Sequence, residues 1–136
     1  MGDGALLDLF GRAAAAVRAA LDHLDDWGPA GTRPGQYRAD LAADAAVLGV
    51  LGPAGLAVLS EESGRHAGRA GAPLVVVDPL DGSTNAWRGI PWYATSLCAV
   101  DAGGLRAALV VNQATGTSFE AVRGAGARCD GRPVTP

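Results

Sequence analysis

The sequence predicts an α+β fold: two N-terminal helices packed on one face of a mostly antiparallel sheet. Three observations predict it. Apolar residues recur at helical spacing over residues 4–27, a second helical pattern follows from Asp40, and from Leu74 onward short apolar runs alternate with turn signals. With 136 residues and no internal repeat, the chain is read as one domain, residues 1–136.

In the first helix Leu6, Phe10, Val17, Leu21 and Leu24 form one stripe, with Ala13 and Ala14 filling the gap. Asp3 is placed to cap its start and Gly28-Pro29 to end it. Asp25 and Asp26 oppose the helix dipole there and read as a solvated terminus. Residues 28–36 form a loop because Gly and Pro dominate them. Asp40 is the expected N-cap of the second helix, with Leu41, Ala45, Leu48 and Leu51 on its packed face and Gly52-Pro53 as its stop. A short strand over 55–59 runs into Ser60-Glu61-Glu62-Ser63, which taken alone is a solvated turn. Residues 64–73 are Gly-rich and basic, a surface loop in which His66 is too isolated to be a ligand.

Four apolar residues, Leu74 to Val77, then read as a buried strand. Beyond it, Trp87, Trp92 and Tyr93 are expected to pack rather than bind. Three strands follow over 94–100, 105–111 and 117–123, joined by turns at Asp101-Ala-Gly-Gly and Gln113-Ala-Thr-Gly. A last extended segment surrounds Asp130-Gly131.

Composition narrows the function. Hydrophobic residues make up 49% but aromatics only 5%, so Ala and Gly supply much of the bulk and packing should be close. The net charge is −3, every basic residue is Arg, and no basic stripe forms, which argues against nucleic acid as a partner. Cys98 and Cys129 lack metal-ligand spacing, and Cys98 reads as a small core residue. No apolar leader and no membrane-length run is present, so the expectation is a soluble cytoplasmic protein with no membrane partner.

The chemistry gathers where the Leu74 strand ends. Asp78 and Asp81 lie three positions apart with Pro79 between them, and Gly82 permits a sharp turn into a short helix opened by Ser83 or Thr84. Carboxylate oxygens suit hard cations such as Mg²⁺, and free N–H groups at a helix start suit phosphate. Together they suggest metal-assisted phosphoryl chemistry. An EF-hand loop needs acids at alternate positions, which these are not. Phosphatases that form an aspartyl phosphate can place two Asp one residue apart, and the spacing here is wider. What remains is a metal cage in which Asp78 and Asp81 converge, with the Leu80 carbonyl between them and Glu61 arriving from the neighbouring strand end.

Asp78-Pro-Leu-Asp-Gly-Ser-Thr-Asn85 resembles the metal-binding signature of the inositol monophosphatase family. Ser60-Glu-Glu-Ser63 resembles that family's upstream Glu-Glu box, and Tyr37-Arg-Ala-Asp40 the segment carrying its first catalytic acid. Gly89-Ile-Pro91 and the run over 126–134 also fit, so the likeness spans nearly the whole chain.

The resemblance implies the first half of a layered sugar-phosphatase-type fold and a Mg²⁺-dependent phosphomonoesterase acting on inositol or sugar phosphates. It implies that Glu61, Asp78, Asp81 and the Leu80 carbonyl hold Mg²⁺, and that the Gly82 and Ser83 N–H groups receive the phosphate. Asp40 and the Ser83 hydroxyl would then orient and activate the attacking water, with Ser83 standing where the family usually has Thr. Glu62 would support the ligands from behind. Thr84-Asn85 favours the inositol- and sugar-phosphate branch over relatives acting on nucleotide bisphosphates, and fructose bisphosphate and 3'-phosphoadenosine phosphate are the alternative substrates. The expected partners are a small phosphorylated polyol or sugar and either a second copy of the chain or a C-terminal half. That half carries a Trp-Asp motif in the family; no Trp-Asp pair occurs here, Asp25-Asp26-Trp27 being reversed. A catalytically incomplete half-domain that binds metal or phosphate in an assembly is the alternative function.

Overall fold

The computed structural model describes residues 1–136. Leu6, Leu9, Phe10, Ala13, Ala14, Val17 and Leu21 are buried along α1 (Asp3–Asp22), as the sequence pattern predicts. The helix stops at Asp22 rather than running to residue 27, and Gly2, not Asp3, is its N-cap. Asp3 instead receives a hydrogen bond from Arg106 Nε at 2.7 Å.

α2 (Arg38–Leu51) starts earlier than expected, with Tyr37 at its N-cap position. Asp40 is therefore not the cap but sits in the first turn, where its carboxylate accepts the Tyr37 N–H at 2.7 Å. The packed face also differs from the expected one. Ala39, Asp40, Ala43, Asp44, Val47 and Leu51 are buried, whereas Leu41 is exposed. Small side chains let the helix backbone come close to its neighbours, so the stripe is set by Ala and Val rather than by Leu.

Eight strands form one sheet: β1 (Ala57–Ser60), β2 (Gly64–His66), β3 (Leu74–Asp81), β4 (Ala94–Asp101), β5 (Gly104–Asn112), β6 (Ser118–Val122), β7 (Gly126–Cys129) and β8 (Arg132–Val134). Their order is β2-β1-β3-β4-β5-β6-β7-β8, with β1 and β3 parallel and every other pair antiparallel. β2 lies within the stretch expected to be a loop; its Gly-Arg-His sequence has no apolar signal and forms only as a hairpin arm on β1.

Both helices lie on one face, α1 against β4 and β5 and α2 against β1 and β3. Val58, Val75, Val77, Leu97, Ala99, Ala107 and Leu109 point into that core. The opposite face presents Leu59, Val76, Val110 and Phe119, all exposed. Cys98 aligns with Val76 and Ala108 on this second face, so it is not a core residue. Both cysteines are free. Trp92 is exposed by 74%, against the expectation that it packs, whereas Trp87 is exposed on one side and rests against the Tyr37 ring on the other. No helix is long and apolar enough to cross a membrane.

A buried polar chain fixes the end of β3. Gln113 Nε2 donates to the Ala14 carbonyl and to Thr95 Oγ1, each at 2.9 Å. Thr95 Oγ1 in turn donates to the Pro79 carbonyl at 2.9 Å. This ties α1 and β4 to the segment between Asp78 and Asp81, where the β3–β4 register shifts.

Candidate active site

The parallel pairing of β1 and β3 brings two carboxylates together. Ser60 lies opposite Val77, and the Glu61 N–H donates to the Val77 carbonyl at 3.1 Å, placing Glu61 beside Asp78. The register shift after Asp78 brings Asp81 to the same strand end. Gly82 then turns the chain with φ at +84°. A Cβ there would sit 2.9 Å from the Trp92 carbonyl oxygen, so both the angle and the space require glycine. α3 (Ser83–Trp87) begins at once.

Asp40, Glu61, Glu62, Asp78 and Asp81 line one cleft of about 210 Å³, together with Leu80, Gly82 and Ser83. Every residue predicted for the site is therefore in one place. Arg33 is the only cationic side chain lining it. No three of the acidic side chains close into a ready-made metal-holding group.

Arg33 pairs with Glu62, and the remaining acids of the cleft have no cationic partner there. Burial pushes the Asp78 carboxyl up to about 7; a hydrogen bond shared with Glu61 and the charges of Glu61 and Asp81 add to this, and a hydrogen bond from the Leu80 backbone opposes it. Asp78 Oδ1 is buried with no hydrogen-bond partner. Asp40, only 2% exposed, is also raised. Burial is the main cause; the Tyr37 N–H opposes it, Glu62 adds to it, the Ser83 hydroxyl opposes it by hydrogen bonding, and Glu61 adds to it.

An orphaned buried oxygen flanked by two further carboxylates is a donor set suited to a hard divalent cation. The residues present fit such an ion.

Several contacts had no signature in the sequence. Glu62 turns away from Asp78 toward the 28–36 loop, where it accepts from Arg33 Nη2 at 3.0 Å and Gln36 Nε2 at 2.6 Å. Thr32 donates to Gln36 Oε1. Ser60 Oγ donates to the buried Asp44 carboxylate at 2.5 Å and accepts the Glu62 N–H at 3.1 Å. Tyr37 and Thr84 pair through their hydroxyls at 2.9 Å. His66 faces Ser63 at 2.7 Å and stands outside the cleft.

A family model described as the inositol monophosphatase family matches residues 39–136. The chain belongs to the inositol monophosphatase family. Residues 39–136 contain all the predicted site residues of this family member, from Asp40 to Ser83. Among curated relatives, it is 44% identical over 69 residues to an inositol-1-monophosphatase of Rhizobium meliloti, 51% of this chain and 26% of that protein. It is 42% identical over 86 residues to a fructose-1,6-bisphosphatase/inositol-1-monophosphatase of Archaeoglobus fulgidus, 61% of this chain and 33% of that protein. It is also 38% identical over 78 residues to the Nus factor SuhB of Pseudomonas aeruginosa, 56% of this chain and 29% of that protein.

Among solved structures, the extragenic suppressor protein SuhB of Bartonella henselae superposes with a TM-score of 0.80 at 28% identity, over 95% of this chain and 53% of that one. The inositol monophosphatase of Anabaena superposes with a TM-score of 0.78 at 27% identity, over 97% of this chain and 49% of that one. This inositol monophosphatase family chain thus spans about half the length of those solved relatives.

Proposed function

We propose that the chain is the metal- and phosphate-binding part of a Mg²⁺-dependent phosphomonoesterase that hydrolyses inositol or sugar phosphates. The observation that carries this reading is the buried, unpartnered Asp78 oxygen beside Glu61 and Asp81, at the foot of the Gly82 turn. Glu61, Asp78, Asp81 and the Leu80 carbonyl would hold the ion. When bound, Mg²⁺ would supply positive charge against the phosphate and would make a nearby water more acidic.

The remaining steps belong to the chain's own groups. The N–H groups of Gly82 and Ser83 receive the ester phosphate at a turn shaped by the +84° φ of Gly82 and its close approach to the Trp92 carbonyl, so the donors are already turned toward the cleft. The Ser83 hydroxyl and the Asp40 carboxylate orient a water toward phosphorus. Asp40 takes its proton, and a carboxyl held above the ordinary range is better matched to that task near neutral pH. Attack opposite the ester oxygen forms the new P–O bond as the old one breaks, with no covalent intermediate, and the departing alkoxide takes a proton from solvent water.

The inositol-1-monophosphatase and fructose-1,6-bisphosphatase names of two relatives support the substrate class. The test is phosphate release from a panel of inositol, sugar and nucleotide phosphates, with Mg²⁺ and with chelator. Mg²⁺-dependent release that is lost in Asp78→Asn is the expected result. Release indifferent to chelator, or none from any ester, overturns the reading.

One observation favours a second reading. Leu59, Val76, Val110 and Phe119 leave a sheet face uncovered, and the solved relatives are about twice as long. A domain that binds metal or phosphate inside a larger assembly, without turnover of its own, fits that face.

A further inference from the structure

We infer that Tyr37 is a positioning residue that keeps Asp40 and Ser83 in register. The kinetic part of this inference rests on the phosphatase reading; its structural part does not. Asp40 belongs to the first turn of α2 and Ser83 opens α3, and no backbone hydrogen bond joins those two helices. α3 has five residues, too few to persist by its own hydrogen bonds. Something outside it must fix where Ser83 lies relative to Asp40.

Tyr37 touches both sides. Its backbone N–H holds Asp40 Oδ2 at 2.7 Å. Its hydroxyl meets Thr84 Oγ1, the residue after Ser83, at 2.9 Å. Its ring lies against Trp87 at the far end of α3, with centroids 5.5 Å apart and planes tilted by 42°. The residue is itself anchored: Pro29 and Tyr37 form an isolated antiparallel bridge, and the Arg38 N–H donates to the Gly28 carbonyl at 2.8 Å. One side chain thus grips the start and the end of α3, while its main chain orients the acid. Asn85 provides a further tether of α3, donating to the Trp92 carbonyl at 2.9 Å, but it pulls toward β4; the Ser83 hydroxyl's own hydrogen bond to Asp40 is the contact that Tyr37 keeps aligned.

Tyr37→Phe separates this role from simple packing, because it keeps the ring and the backbone and removes only the hydroxyl. The expected result is amide hydrogen exchange at residues 83–87 faster by about 3–10-fold, with α1 exchange unchanged. In phosphate release, kcat falls by about 3–10-fold while KM and the Mg²⁺ requirement hold, since the loss is one of alignment. Thr84→Val should reproduce both effects, and the double variant should be no worse than either single one. Wild-type exchange at 83–87 in Tyr37→Phe overturns the inference, as do strictly additive effects of the two substitutions. If the wild-type chain releases no phosphate, the phosphatase reading fails and the exchange measurement still decides the role of Tyr37.

Discussion

Glu61, just past the end of β1, stands beside Asp78 of the parallel strand β3, close enough for their carboxyls to share a hydrogen bond. Antiparallel neighbours alone would not produce this. Parallel pairing of β1 with β3 runs both strands the same way up to Ser60 and Val77, and the carboxylates that follow those two residues meet there. Such a pair is stable only with a proton or a cation between the oxygens.

The pH dependence of the metal-free chain follows from that pair. Asp78 binds its proton more tightly when folded, at about 7, than at its ordinary value of 3.8. Its contribution to stability is therefore fully present below pH 4 and is lost as pH rises through 7. In chelator, Asp78→Asn should be more stable than wild type at pH 8 by about 1–3 kcal/mol, and this advantage should vanish toward pH 4. Thermal melts across that range check it; a wild-type chain that gains stability relative to the variant between pH 5 and 8 contradicts it.

Divalent ions should reverse the balance. Calorimetry should find Mg²⁺ binding lost in Asp78→Asn, because the change removes a charge and a donor from the shared cluster. Glu61→Gln should weaken it by more than the roughly 10–100-fold seen when only an outer partner is lost. Unchanged affinity in either variant would mean that the ions, if they bind, bind elsewhere.

Ser60→Ala leaves the buried Asp44 carboxylate without the hydroxyl that donates to it. The expected cost is about 1–3 kcal/mol in urea unfolding. Ser60→Ala combined with Asp44→Leu should recover part of that loss, since removing both polar partners leaves no unpaired charge.

Gly82→Ala places a methyl group against the Trp92 carbonyl at a backbone angle of +84°. The strain should lower stability by about 1–3 kcal/mol and move Ser83. Phosphate release should fall further than the loss of folded protein explains, as circular dichroism and turnover on one sample would reveal.

The legible parts of the chain are those whose signal is local. α1 was readable because Leu and Phe mark its inner stripe, whereas α2 packs through Ala39, Ala43 and Val47 while Leu41 faces water, so size misled. Asp78, Asp81 and Gly82 announce themselves by spacing within a few residues. Glu61 and Asp40 needed the family resemblance, because each reads alone as a turn residue or a helix cap. The Gln36–Glu62 and Tyr37–Thr84 contacts were invisible for a plain reason: the partners are 26 and 47 positions apart, and polar pairs at such distances leave no periodic trace. β2 escaped because its three residues carry no alternation of their own.

The sheet is clothed on one side and bare on the other. Water meets oil-like side chains across neighbouring strands, with Phe119 exposed by 48% and Val110 directly opposite it. Concentrating this polypeptide by itself should therefore drive molecules to stick through that bare side, visible as a rising scattering mass. Substituting Phe119→Ser should delay the onset, leaving handling properties governed less by the acidic cleft than by that uncovered face.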